Sequence, residues 1–192
     1  MKNKLILMMG GQGSGKGTLS KAFLAEHDNQ YNYIETGAML RALPEKHPLK
    51  AIIARGEFVP DTEVFTLLKS KIDSAGGDIL LDGFPRKVSQ AEWLVSTFSD
   101  KFDIVAVYLN LPESLMLKRI ENRIREGGGR ADDADSAAVR RRLDNFQHET
   151  MPAIKWLKGN EKVVFVEVAV ADAPVEVNYT ALIDALKSNK II

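Results

Sequence analysis

The sequence GGQGSGKGT occupies residues 10–18 of this chain, and the other sequence features are best interpreted in relation to it. It follows a short apolar run, Leu5–Met9, and it precedes a stretch with helical spacing of apolar residues that begins at Leu19. A strand, a glycine-rich turn and a helix in this order are typical of a loop that binds phosphate. Glycines let backbone N–H groups close around phosphate oxygens, and the start of the helix adds further N–H groups and partial positive charge. A glycine-rich hairpin without a ligand is the alternative, but it leaves the flanking strand and helix unexplained.

The lysine of this loop, Lys16, is placed to reach the outer phosphates of a phosphate chain. The spacing fits the pattern G-x-x-x-x-G-K, but the next residue is Gly17, and the hydroxyl follows one position later at Thr18. The loop by itself therefore predicts binding of a phosphate chain and nothing more specific.

The composition is that of an ordinary globular protein. The chain has 192 residues, 45% apolar and 27% charged, so we expect a single domain over residues 1–192. Basic and acidic residues are equal at 26 each, so charge gives no argument for binding nucleic acid or an anionic membrane. The absence of cysteine excludes disulfides and cysteine-ligated zinc. No stretch approaches a membrane span, and the apolar run before Gly10 is too short for a signal peptide, so we expect a cytoplasmic protein.

Apolar runs alternate with helical stretches along the chain. The runs are short, several are rich in β-branched residues, and most are flanked by turn residues, as in buried parallel strands. They are Leu5–Met9, Ile79–Leu81, Ile104–Leu109, Val163–Val168 and a weaker run at Tyr31–Ile34. Helical spacing occurs near residues 16–26, 61–75, 87–99, 112–123, 136–158 and 174–188. This alternation predicts an α/β fold around a five-stranded parallel sheet, with ligands at the carboxyl ends of the strands.

Two stretches interrupt the alternation. Residues 36–60 hold only short helical pieces broken by prolines, and residues 124–135 contain consecutive glycines. We interpret them as insertions, a substrate lobe and a mobile lid, on a core formed by residues 1–35, 61–123 and 136–192. Plain surface loops are the alternative.

A carboxylate, Asp82, directly follows the apolar run Ile79–Leu81 and faces the same edge of the sheet as the glycine-rich loop. In phosphate-binding α/β folds an acid at this place commonly holds Mg²⁺ or its water shell. A turn or helix-capping aspartate is the alternative. Arg86, four residues later, offers a planar fork for phosphate.

Further polar residues could face the same cleft. Thr36 is placed to cap the helix after the second strand, and Arg41, five residues later, is placed to turn toward the same cleft. Gln90 can both donate to and accept from the edge of a nucleobase, or it is a surface glutamine. Arginines are frequent in the later part of the chain: Arg119, Arg123, Arg125, Arg130, Arg140, Arg141 and Arg142. Phosphoryl transfer needs many positive donors, whereas a solvated helix face with acidic partners is the alternative.

Taken together, these residues resemble those of the adenylate kinases, within the nucleoside monophosphate kinase family, over nearly the whole chain. Residues 10–18 resemble the P-loop of that family, and the sequence LDGFPR at residues 81–86 matches its D-G-F-P-R signature. Further segments similar to the family are residues 36–41 (TGAMLR), residues 56–61 (GEFVPD), Arg130 with Asp132-Asp133, and Arg142-Leu143.

The resemblance implies a P-loop NTPase-type, three-layer α/β/α fold with a small NMP-binding lobe and a short lid. It implies a monomer that catalyses ATP + AMP ⇌ 2 ADP with Mg²⁺. The implied ATP-binding residues are Gly13, Ser14, Gly15, Lys16, Gly17, Thr18, Arg119, Arg123 and Ala173. The implied AMP-binding residues are Thr36, Arg41, Glu57, Phe58, Val59, Gly83, Phe84, Pro85, Arg86, Gln90, Arg130 and Arg142. The implied catalytic residues are Lys16, Arg86, Arg123, Arg130 and Arg142, and Asp82 would hold Mg²⁺ through water.

The chain departs from the family at several positions. Gln12 stands where proline is usual, and Glu35 stands where serine is usual. The stretch between residues 41 and 56 is shorter than in typical members, so a kinase for UMP, CMP or GMP is an alternative to one for AMP. A nucleotide-binding sensor without transfer activity is a further alternative. The segment from Asp133 to Arg142 is one residue longer than is usual in the family. Arg141 is therefore the alternative to Arg142 in the AMP site.

Overall fold

A five-stranded parallel sheet forms the centre of the computed structural model. The structure describes residues 2–27, 30–55, 57–125 and 136–192, with the backbone alone at Arg123 and Ser136. The strands are β1 (Asn3–Gly10), β2 (Asn32–Glu35), β3 (Ile79–Asp82), β4 (Phe102–Asn110) and β5 (Val163–Ala169), and their order is β2-β3-β1-β4-β5. The predicted α/β fold is confirmed, and each strand lies where an apolar run placed it.

Helices connect the strands and cover both faces of the sheet. They are α1 (Lys16–Glu26), α2 (Thr36–Arg41), α3 (Leu49–Ala54), α4 (Asp61–Ser74), α5 (Val88–Phe98), α6 (Glu113–Arg125), α7 (Ser136–Asn145), α8 (Met151–Lys158) and α9 (Val175–Ser188). Helix α1 packs with α9, and α5 packs with α8. Ile6 and Leu7 of β1 point to opposite faces, yet they are only 1% and 0% exposed, so both faces of the sheet are buried. Among the described helices, we find none with the length and apolar character needed to cross a membrane.

The register of the parallel strands brings their carboxyl ends to one edge. Asp82, the last residue of β3, pairs with Met8 of β1 on one side and with Glu35, the last residue of β2, on the other. Strand β1 continues to Gly10, where the glycine-rich loop begins. Residues that follow three neighbouring strands are therefore held at the same edge of the sheet.

The structure differs from the sequence-based expectation in two helical regions. The single helix expected over residues 136–158 consists of α7, a π-helical turn at Phe146–Thr150 and α8. Pro152 explains the change, because it has no N–H to donate to the carbonyl four residues earlier and the backbone ladder shifts at that point. Helix α6 extends to Arg125, past the expected end at residue 123.

Candidate functional site

The loop between β1 and α1 is held in shape by its glycines and by Lys16. Gly13 and Gly15 have φ values of 72° and 87°, a left-handed conformation that residues with a Cβ atom rarely adopt. The Lys16 ammonium group donates hydrogen bonds to the carbonyl oxygens of Gly10, at 2.6 Å, and Gly11, at 2.9 Å. The loop therefore curls around the ammonium group, and both line the same cleft.

Asp82 is a buried carboxylate at the edge of this cleft. It is 5% exposed, and its Oδ2 accepts a hydrogen bond from the Tyr33 hydroxyl at 3.1 Å. Burial raises the pKa of the Asp82 carboxyl above its ordinary value, and the Glu35 carboxylate adds to the rise. The charges of Lys16 and Arg86 and the hydrogen bond from Tyr33 oppose it without cancelling it. A cation bound beside Asp82 would favour its ionised form.

One cleft of about 1250 Å³ collects nearly all of the site residues that the sequence suggested. Its lining includes Gly13, Ser14, Gly15, Lys16, Gly17, Thr18, Thr36, Arg41, Glu57, Phe58, Val59, Asp82, Gly83, Phe84, Pro85, Arg86, Gln90, Arg119, Arg142 and Ala173. Arg130 and most of the stretch 124–135 lie outside the described residues, and Arg123 is placed on α6 by its backbone alone. The cleft volume exceeds the roughly 300–1,000 Å³ of a pocket for one drug-sized ligand.

The structure distinguishes the two neighbouring arginines of α7. Arg142 lines the cleft. Arg141 instead donates a hydrogen bond from Nε to the carbonyl oxygen of Arg55, at 2.6 Å. The geometry therefore favours Arg142 over Arg141 as the residue directed toward a ligand in the cleft.

On one side of the cleft, Arg119 joins the glycine-rich loop to the segment after β5. Its guanidinium donates to the carbonyl oxygen of Gly13, at 3.0 Å, and to that of Ala171, at 2.6 Å. Asn178 holds the same segment from α9, since its Oδ1 accepts from the Ala171 N–H at 2.8 Å and its Nδ2 lies 3.2 Å from the Ala173 carbonyl oxygen. The side chain of Asn178 fixes the backbone that lines this side of the cleft.

On the other side, Gln90 connects the segment after β3 to α4. Gln90 is 3% exposed, its Oε1 accepts from the Arg86 N–H at 2.8 Å, and its Nε2 donates to Asp61 Oδ1 at 2.8 Å. Burial pushes the pKa of Asp61 upward, but hydrogen bonds from Gln90 and Ser89 and the charge of Lys87 outweigh it and hold the pKa below its ordinary value. Gln90 is therefore a buried linking residue, not a surface glutamine.

Two departures from the family pattern make contacts of their own. Gln12 Nε2 donates to the carbonyl oxygen of Val139 at 3.2 Å, which ties the glycine-rich loop to α7. Glu35 forms an ion pair with Arg41, with 2.7 Å between Oε1 and Nη2.

Sequence reasoning missed two residues that shape the cleft, Tyr33 and Asn178, and it gave Asp61 no role beyond its place in the family-like segment 56–61. Asn178 lies one helical turn before the buried Leu182. The helical spacing of the sequence therefore predicts that Asn178 lies on the inner face of α9. Tyr33 gave no comparable signal, because its contact with Asp82 depends on the pairing of β2 with β3.

The adenylate kinase family model matches residues 8–162 of the chain. The chain belongs to the adenylate kinase family. An adenylate kinase of Parvibaculum lavamentivorans is 37% identical over 170 residues, which cover 82% of this chain and 81% of that protein. The adenylate kinase isoenzyme 1 of Gallus gallus is 32% identical over 166 residues, which cover 82% of each protein. These comparisons confirm the predicted family and the predicted enzyme class, a nucleotide-binding kinase.

The fold of this adenylate kinase family member is also found in a more distant kinase. A gluconokinase from Sinorhizobium meliloti 1021 superimposes with a TM-score of 0.61, covering 99% of this chain and 95% of that one. The sequence identity is 17%, so the likeness concerns the fold alone.

We predict that Asp82→Asn stabilises the fold at neutral pH. The pKa of Asp82 is higher in the folded protein than its ordinary value of about 3.9. The folded state therefore holds this proton more tightly, and stability falls as pH rises from about 4 through the folded-state pKa. Asparagine removes that cost, so the free energy of unfolding should exceed that of the parent protein at pH 7, and the difference should disappear near pH 3.

Urea denaturation across this pH range measures the effect. The control is Asp184→Asn, which removes an exposed carboxylate of α9 and should leave the free energy of unfolding at pH 7 close to that of the parent protein. If Asp82→Asn is instead less stable than the parent at pH 7, then Lys16 and Tyr33 stabilise the charged carboxylate by more than its burial costs.

Proposed function

We propose that this protein transfers the terminal phosphoryl group of ATP to AMP and so forms two ADP. The observation that carries the proposal is that one cleft is lined by both the P-loop residues and the residues suggested for AMP. Its volume suits two nucleotides better than one. Two nucleotides in one cleft can meet phosphate to phosphate, which is the arrangement that direct transfer requires.

ATP occupies the side formed by the P-loop, α6 and the segment after β5. The loop N–H groups and the Lys16 ammonium hold its phosphates, and the N-terminus of α1 adds partial positive charge. Its base lies against the backbone near Ala173, which Asn178 and Arg119 hold in place. Arg119 and Arg123 on α6 complete this side.

AMP occupies the side formed by the lobe at residues 36–60 and the segment after β3. Arg41 and Arg86 bind its phosphate with their planar guanidinium groups. Thr36 and Glu57–Val59 lie beside its nucleoside. Gln90 has its amide between Arg86 and Asp61, so it holds the segment that carries Arg86 and presents that segment to AMP.

Catalysis in this proposal is positioning and charge stabilisation. The developing charge on the transferred group is spread over its oxygens, and Lys16, Arg86, Arg123, Arg130 and Arg142 supply donors for it. No side chain acts as a nucleophile, because a phosphate oxygen of AMP attacks directly. The lid at residues 124–135 excludes water, which would otherwise take the phosphoryl group in place of AMP.

Mg²⁺ fits the donor set of the cleft. Magnesium in nucleotide sites is usually held by one or two carboxylates, by waters and by substrate phosphates. Asp82 is a carboxylate in that position, and among the described residues no group of three or more acidic or histidine side chains forms a dedicated cage. Asp82 would hold the ion through water, and the ion would neutralise phosphate charge. A monomeric state, a cytoplasmic location and the lobe and lid boundaries remain predictions from the sequence.

We predict that Lys16→Ala lowers the rate of ADP formation by about 100-fold or more, because one preorganised charged donor is lost. A coupled assay with ATP, AMP and Mg²⁺ measures the rate, and circular dichroism checks the fold. Lys187→Ala, an exposed lysine on α9, is the matched control and should retain full activity. Near-normal turnover in Lys16→Ala would remove Lys16 from the proposed mechanism.

We also predict that AMP is the best acceptor among AMP, GMP, CMP, UMP and dTMP. The same assay with each monophosphate at equal concentration gives the order of kcat/KM. A higher value for another monophosphate would assign the protein to a different acceptor. ATP binding without any ADP formation would favour a nucleotide sensor.

A further inference from the structure

We infer that Glu35 sets the affinity of this protein for its acceptor nucleotide, because its carboxylate competes with the acceptor phosphate for the Arg41 guanidinium. The inference rests on the proposed function, in which Arg41 binds the phosphate of AMP. Glu35 is then a residue of the acceptor site that weakens acceptor binding.

The first support is the contact between the two side chains. Glu35 is the last residue of β2 and Arg41 is the last residue of α2, and both line the cleft. Their Oε1 and Nη2 atoms are 2.7 Å apart, a normal distance for a charge-assisted hydrogen bond. An incoming phosphate meets a guanidinium group that already has an anionic partner.

The second support is the path that the Arg41 side chain takes. It lies back over the first turn of α2, so closely that a Cβ atom placed on Gly37 would be 2.8 Å from Arg41 Nη1. A glycine at this position leaves room for the guanidinium group to reach Glu35. A side chain at residue 37 would require the end of the Arg41 side chain to shift from this position.

The third support is the charge at the end of β2. Glu35 is in register with Asp82 on the neighbouring strand, so two carboxylates lie side by side at the ends of β2 and β3. An acceptor phosphate near Arg41 thus meets carboxylates on two adjacent strand ends, and neutralising Glu35 lowers this repulsion.

The competition acts on binding and leaves the chemical step unchanged. A phosphate dianion can engage the guanidinium fork with two oxygens and carries more charge than a carboxylate, so it displaces Glu35. Arg41 then stays on the phosphate in both the ground state and the transition state. The cost of separating the ion pair consequently raises the KM for the acceptor and does not change kcat.

The test uses Glu35→Gln, which removes the charge and keeps the size of the side chain. The KM for AMP should fall about two- to five-fold at low ionic strength, as expected for an ion pair at the protein surface. The kcat and the KM for ATP should stay the same. The gain should shrink as KCl is raised, because salt screens exposed charges.

The matched control is Glu45→Gln in the same lobe. Glu45 is 93% exposed, its carboxylate is 3.6 Å from Lys50 Nζ, and it does not belong to the lining of the cleft described above. Glu45→Gln should leave the KM for AMP unchanged. This result would separate a local effect of Glu35 from a general effect of removing one negative charge.

An unchanged or higher KM for AMP in Glu35→Gln would overturn the inference, and a higher value would mean that Glu35 binds the acceptor directly. Calorimetric titration with AMP alone separates this result from a failure of the proposed function. Tighter AMP binding by Glu35→Gln in a protein that forms no ADP would support the competition and contradict the transferase proposal. Normal ADP formation without tighter AMP binding by Glu35→Gln would support the transferase proposal and contradict the competition.

Discussion

The register of three parallel strands is the constraint on which the site depends. Met8, Asp82 and Glu35 lie side by side on β1, β3 and β2, so the P-loop, the buried carboxylate and the start of the stretch 36–60 meet at one edge. A slip of one residue in a strand would turn its side chains to the opposite faces of the sheet. Burial of β1 and β3 on both faces opposes such a slip, because the core packing fixes each strand.

Many groups in the cleft are bound to other parts of the protein before a nucleotide arrives. Lys16 donates to loop carbonyl oxygens, Gln90 joins Arg86 to Asp61, and Arg41 pairs with Glu35. These contacts have different consequences. The first two hold groups where a phosphate needs them and reduce the ordering required on binding. The pair of Arg41 with Glu35 must separate, so it opposes acceptor binding.

The strands and helices could be predicted from the sequence, because short apolar runs, helical spacing and turn residues encode them locally. Most of the residues that line the cleft were instead implied by the resemblance to the adenylate kinases. The contacts that organise the cleft could not be predicted, since they join distant residues. Gln12 donates to Val139, 127 residues away, and Arg119 reaches Ala171 only once α6 and β5 are in place. The π-helical turn at Phe146–Thr150 depends on how the backbone near Pro152 redistributes its hydrogen bonds, which periodicity does not report.

Direct phosphoryl transfer requires that this one cleft hold two nucleotides at the same time. Calorimetric titration of AMP into protein saturated with Mg²⁺ and an ATP analogue that cannot transfer its phosphoryl group tests it most directly. One AMP should bind per chain while the analogue stays bound, and Arg41→Ala should weaken AMP binding without releasing the analogue. If AMP binds only by displacing the analogue, the cleft holds one nucleotide at a time and direct transfer between two is contradicted.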